Sequence, residues 1–239
     1  MPDRTDQRRR GAVTVPLVVA VVAAMIAAAM MFASGVGKPS DSAGERAGEA
    51  LESSDPLLAL IRRQADDPMA MGTTDAPVVM INYSEFQCPF CGKFVRDTEP
   101  TLIEKYVKEG ILRIEWRDFP YLGPESITAA KAGRAAAAQD EFWAFHDALY
   151  ANQQPPNSGS LTEDFLAGLA KKIGLDVTQF RKTMNTGDTA DAVQRDFAEG
   201  QSIGINGTPA FLINGKPIIG AQPTGVFEEA IERAAAEAQ

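Results

Sequence analysis

Two cysteines three positions apart, directly behind a short apolar run, constrain this chain more than any other feature of its sequence. They are its only cysteines, spaced Cys88-Pro89-Phe90-Cys91. Residues 76–83 (APVVMINY) are apolar and rich in β-branched side chains, which predicts a buried strand ending just before them. Residues 91–108 place Phe94, Val95, Leu102, Ile103 and Tyr106 at helical spacing, with Pro100 as a kink and Gly110 as the stop. Residues 111–119 (ILRIEWRDF) read as a second strand, in which Ile111, Arg113, Glu115 and Arg117 oppose Leu112, Ile114 and Trp116 only approximately. Strand, helix, strand predicts a parallel pair joined by a right-handed crossover. It sets the cysteines at the carboxyl end of the first strand, where open α/β sheets put their chemistry.

The spacing suits thiol exchange, because one thiolate must form a mixed disulfide while a second lies close enough to resolve it. At a helix N-terminus, unpaired amides and the macrodipole favour a negative sulfur. That makes Cys88 the expected exposed nucleophile and Cys91, one turn in, the buried resolving thiol. A purely structural bridge closing so small a loop would remove little unfolded-chain entropy. A metal site would need more soft or imidazole ligands, and the one histidine, His146, lies far along the chain. No metal and no cofactor are expected. Met69 and Met71 read as core filler rather than a copper site, although near an apolar groove they could touch unfolded substrates.

The N-terminus bears on compartment. Residues 1–10 carry Arg4, Arg8, Arg9 and Arg10 and form a basic tail, and residues 11–37 carry no charge at all. A bilayer core of about 30 Å needs roughly 20 apolar helical residues, against about 7 to 15 for a signal peptide, so 11–37 is read as a transmembrane anchor. Positive charge before it places the N-terminus in the cytoplasm and the rest outside. A cleaved signal, cut near residues 33–35, would export the domain equally. Arg8-Arg9 lacks the rest of a twin-arginine pattern. Residues 38–54 (KPSDSAGERAGEALESS) read as a flexible linker. The remainder, 55–239, is enough for one domain with an insertion. The whole chain has 45% hydrophobic and 23% charged residues, so its bulk is globular, and its net charge of −9 without a basic stripe past the tail argues against nucleic-acid binding.

Asp55-Pro56 and the following LLALIRRQ suggest a capped short helix, whereas residues 125–204 show no strand signal. There, helical patterns run through 125–139, 140–153, 161–174 and 188–204, a helical insertion. Residues 210–213 and 217–220 flank Asn214-Gly215, a type I′ hairpin signal, and 224–236 close the chain as an amphipathic helix.

The run YSEFQCPFCGKF, the later GTPAFLINGKPIIGAQP and the helical block between them resemble the DsbA-like branch of the thioredoxin superfamily, from about Asp67 to the C-terminus. The resemblance implies an α/β thioredoxin fold with an inserted helical domain, here preceded by a transmembrane helix. It implies catalysis by Cys88 and Cys91, with Pro89 and Phe90 between them, and Pro209 as a cis-proline facing the disulfide, preceded by Thr208. An X-Pro bond is the one place where cis costs little, and a bend there exposes backbone to an incoming peptide. Strongly oxidising relatives have histidine where Phe90 stands, so a less oxidising disulfide is expected. Many relatives carry a buried carboxylate where this chain has Asn82. Glu85 could substitute, or could equally be a solvated residue at a strand end. His146, among Phe142, Trp143, Phe145 and Leu149, reads as a packing or surface residue.

The expectation is therefore an exported, membrane-anchored oxidase that introduces disulfides into unfolded or reduced protein substrates. An unidentified redox partner, in the membrane or a small oxidant, would reoxidise it. A reductase or isomerase running the other way, and a non-catalytic peptide-docking domain, are the alternatives.

Overall fold

A computed structural model of the chain describes residues 56–238. The expected tail, anchor and linker at 1–54 lie outside the described residues, and among the described residues no helix is long and apolar enough to cross a membrane.

Among the described residues, five strands form one sheet in the order β1-β3-β2-β4-β5. Its centre is the parallel pair β2 (Val78–Ser84) and β3 (Leu112–Asp118), in register from Val78 opposite Leu112 to Ser84 opposite Asp118. Strand β4 (Ala210–Ile213) runs antiparallel to β2, and β5 (Lys216–Ile219) antiparallel to β4. Asn214 and Gly215 join the last two with φ of 42° and 79°, the left-handed pair that a tight I′ turn demands. On the other edge is β1 (Ala70–Met71), antiparallel to β3 and too short to leave a pattern in the sequence. Met69 beside it is buried in the core, as read.

The crossover helix differs from the expected single kinked rod. Helix α1 (Pro89–Asp97) stops at Thr98, whose ψ of −51° comes with φ of −120°. Helix α2 (Glu99–Leu102) follows, then one π turn (Ile103–Val107) with Lys108 N–H reaching the Ile103 carbonyl at 3.0 Å. The break thus falls two residues before Pro100, because the proline ring would collide with the carbonyl four residues back.

Both faces of β2 and β3 are buried, which is why alternation in ILRIEWRDF looked unclean. Val78, Met80, Leu112 and Ile114 pack with Phe94, Phe211, Phe227 and Ile231, the last two from the closing helix α8 (Thr224–Glu237). On the opposite side of β2, Val79, Ile81 and Tyr83 pack with Phe119 and with Leu57, Leu60 and Ile61. The charged side of β3 is equally covered. The Glu115 carboxylate pairs with Arg113 at 3.1 Å and Arg117 at 2.9 Å. It also accepts the backbone N–H of Arg62 and Arg63 at 3.1 and 2.8 Å.

Those bonds correct the expected helix after Pro56. Only a 3₁₀ turn forms (Leu58–Leu60), and the chain then runs on without regular structure, with Ile61 extended and Arg63 at a φ of 44°. Its amides serve Glu115, and its carbonyls at Leu60 and Gln64 accept Arg117 and Arg113. A helix would have consumed those groups internally.

The insertion is helical as predicted: α3 (Pro124–Ala137), α4 (Phe142–Ala151), α5 (Glu163–Lys172), α6 (Val177–Met184) and α7 (Gly187–Ser202). Helix α6 had no separate reading. Its signal is Asp176, whose side chain accepts the N–H of Thr178 and Gln179. The apolar faces of α3 to α6 gather around Phe142, Phe145, Leu166 and Phe180, in the same cluster as Phe86, Trp116 and both cysteines. The insertion therefore packs directly against the end of the sheet that carries the cysteines.

Candidate active site

Cys88 is the residue that caps α1, Pro89 occupies the first turn where a missing N–H costs nothing, and Cys91 sits one turn in. Both thiols are free. Cys91 is buried as expected, but the expected exposure of Cys88 is not found: only 1% of it is accessible. The reason is the loop before β4. The Thr208–Pro209 bond is cis, and the Cys88 thiol donates to the Thr208 carbonyl at 3.3 Å. The exposed residues of the motif are Pro89 and Phe90, the latter 63% accessible.

The two sulfurs are driven apart in acidity. A hydrogen bond from Cys91 lowers the Cys88 pKa to about 6, against the effect of burial, with further help from the Thr208 hydroxyl and the amides of Cys91 and Phe90. Burial, followed by the charge of Cys88 and its claim on the same hydrogen bond, pushes the Cys91 thiol well up. The Thr208 hydroxyl is buried and otherwise without a partner among the described residues, which leaves it free to serve the sulfur.

Glu85 is not a solvated strand end. It is 2% exposed, and burial raises its pKa to about 7 despite a hydrogen bond from the Ser126 hydroxyl. The negative charge of Cys88 adds to that rise. Gln87 Nε2 donates to Ser126 Oγ at 2.8 Å, and Ser126 in turn donates to Glu85, while Glu85 Oε1 has no partner among the described residues. Asn82, at the position where relatives carry the carboxylate, is fully buried, and its amide is likewise unpartnered among the described residues.

Sequence reasoning missed the groups that frame this centre. Tyr150 donates from its hydroxyl to the Glu85 carbonyl at 2.9 Å, and Gln153 Nε2 donates to the carbonyls of Phe86 and Cys88 at 3.1 and 2.9 Å. Ser126, Tyr150 and Gln153 all come from the insertion, and no local motif announces them. Beside the motif lies an apolar groove of about 550 Å³ whose walls include Phe90, Tyr121, Ile205, Thr208, Pro209 and Ile219. An acidic sulfur backed by a second, protonated thiol, beside a groove and a sheet edge, is equipped to exchange disulfides with an extended peptide.

Comparison with known proteins agrees with this geometry. The family described as Thioredoxin matches residues 64–233. A protein of Bacillus cereus named "Probable disulfide bond formation protein D" is 33% identical over 150 residues, which span 61% of this chain and 69% of that protein. The crystal structure of oxidised BdbD from Bacillus subtilis superposes with a TM-score of 0.67 at 25% identity, covering 72% of this chain and 94% of that one. The α-DsbA1 of Wolbachia pipientis shares the fold, with a TM-score of 0.67 at 24% identity over 78% of this chain and 98% of its own.

Proposed function

Because the chain belongs to the DsbA-like thiol-disulfide oxidoreductases of the thioredoxin superfamily, we propose that it works as an oxidase, with Cys88 as nucleophile and Cys91 as resolving thiol. A substrate thiolate attacks Sγ of Cys88 in the Cys88-Cys91 disulfide, and the Cys91 sulfur leaves and takes a proton. A second substrate thiolate then attacks the substrate sulfur of the mixed disulfide and expels Cys88 as a thiolate. The substrate loses two electrons and two protons and gains a disulfide; a membrane protein or small oxidant takes the electrons afterwards.

The observation that carries the direction is the acidity of Cys88. A leaving thiol with a pKa near 6 departs readily, and at pH 7 its ionisation stabilises the dithiol form. One unit below the working pH is worth roughly 30 mV in this two-electron couple, a push toward oxidation even without a histidine at position 90. Glu85 is the proton store for the exchange. Residues 11–37 anchor the protein, with 55–239 outside the cytoplasm, 38–54 as linker and 1–10 as cytoplasmic tail.

The test is the equilibrium of the full chain in detergent against graded glutathione buffers, read by thiol alkylation. A potential above about −200 mV is expected; a value near or below about −270 mV would assign the protein to reduction instead. Replacing Cys88 by Ser should abolish exchange, whereas a peptide-docking domain would keep its binding unchanged.

A further inference from the structure

On the far side of the cysteine helix, α2 meets α4 at a second polar cluster that disulfide exchange does not use. His146 is completely buried, ringed by Phe86, Trp116, Phe142, Trp143 and Tyr150 with ring centres 4.8 to 6.2 Å away. Its Nδ1 lies 2.9 Å from the carboxylate of Asp147, which is largely exposed. A carboxylate there accepts the Nδ1 proton, so the neutral ring turns its Nε2 lone pair inward. What it faces is the Glu99 carboxylate, 4.0 Å away and 3% exposed.

Two unpartnered polar groups thus face each other in a buried place. Nε2 of His146 and Oε1 of Glu99 have no hydrogen-bond partner among the described residues. The 4.0 Å from Nε2 to Oε2 of Glu99 is too long for a direct hydrogen bond. Two ligands at about 2.0 to 2.1 Å in a tetrahedral zinc shell stand about 3.3 Å apart, so a side-chain shift of about 0.7 Å brings the pair onto one ion. One ligand atom from each of Glu99, His146 and Asp147 falls within 4.8 Å of the others. Beside them opens a cavity of about 460 Å³ that reaches Glu99 and Asp147, is walled by Val95, Arg96, Pro100 and Ile103, and offers room for water ligands on the carboxylate side of the pair.

We propose that Glu99 and His146, with Asp147 orienting the imidazole, form a binding site for one divalent transition-metal ion of the zinc class. The imidazole selects that class over calcium or magnesium, which take oxygen ligands. A carboxylate on the far nitrogen of a ligating histidine is the usual outer-shell arrangement. The ion ties α2, which follows the cysteine helix, to α4 of the insertion, the helix that also supplies Tyr150 to the redox centre. It makes no contact with the sulfurs.

The experiment uses the untagged full chain in detergent with the Cys88-Cys91 disulfide closed, so that thiolates cannot take the metal. Zinc chloride is titrated by calorimetry at pH 7.5, where one ion per chain is expected. Asp147→Asn, a change at an exposed position that leaves the fold intact, should weaken binding tenfold or more, and Glu99→Gln should abolish it. The only two tryptophans, Trp116 and Trp143, lie 5.4 and 5.2 Å from the His146 ring. Cobalt(II) should therefore quench their emission in the parent chain and much less in Asp147→Asn. Zinc should also raise the melting temperature of the parent by several degrees and leave that of Glu99→Gln unmoved. No binding, or binding unaltered in both variants, would overturn the proposal. The redox potential is measured separately, so failure here does not touch the oxidase reading.

Discussion

The sulfur of Cys88 and the carbonyl oxygen of Thr208 lie 3.3 Å apart across 120 residues of sequence. The first caps the helix that follows β2, and the second precedes the strand paired with β2, so the sheet itself brings them together. The buried Thr208 hydroxyl is the other half of that relationship. Thr208→Val keeps the side-chain shape and removes the donor. We expect the Cys88 pKa to rise from about 6 toward 7, read from thiolate absorbance against pH. The potential should fall by roughly 20 to 30 mV. An unchanged pKa would show that the hydroxyl serves another group.

The strand, the cysteine pair, the insertion and the hairpin were legible because each is a local pattern. What was not legible depends on partners distant in sequence. Glu85 could be a solvated residue or a buried one, and Ser126 and the α3–α4 packing decide for burial. Residues 57–64 carry an acceptable helix pattern, and the long-range demand of Glu115 for two backbone amides overrides it. Cys88 is exposed by its position on α1 alone, and the return of Thr208 over it and the packing of the insertion bury it.

Glu85 makes a pH prediction whose sign can be worked out. Its folded pKa of about 7 is above the ordinary 4.5, so the native state holds its proton longer than the unfolded chain does. The stability this gives is full below about 4.5 and is lost as pH rises through 7, up to about 3 kcal/mol. Cys88 acts oppositely, but only between about 6 and its ordinary 9. Between pH 4.5 and 6, then, the parent should lose stability relative to Glu85→Gln as pH rises, in urea midpoints taken at half-unit steps. A constant difference between the two would rule out a titrating Glu85. Because Glu85 is still mostly protonated near pH 6, where Cys88 titrates, Glu85→Gln should leave the Cys88 pKa nearly unchanged.

Gly92 has no room for a side chain because a Cβ there would come within 2.3 Å of Gln153 Oε1. Alanine would swing the Gln153 amide away from the Phe86 and Cys88 carbonyls, so that Phe86 loses this donor while Cys88 keeps only the Gly92 N–H, at a cost of about 1 to 3 kcal/mol. A double-mutant cycle isolates the cause. On a Gln153→Ala background only the flexible tip of Arg96, 2.8 Å from the added Cβ, must move, so Gly92→Ala should add little; additive losses would place the damage elsewhere.

Phe90 stands between the cysteines with 63% of its surface accessible and forms one wall of the apolar groove. Its two positions, beside the thiolate and beside the groove, make separable demands. Histidine at 90 would offer the Cys88 thiolate a donor and, when protonated, a positive charge, so the Cys88 pKa should fall by about one unit. The potential should rise by roughly 30 mV. The same change removes an exposed aromatic surface from the groove wall, so KM for an apolar dithiol peptide should increase while the fold, which does not rest on this side chain, keeps its melting temperature. A higher potential with unchanged KM would mean that peptides dock along Ile205 and Ile219 without touching position 90. An unchanged potential would mean that hydrogen bonds from Cys91, Thr208 and the first amides of α1 already satisfy the Cys88 sulfur.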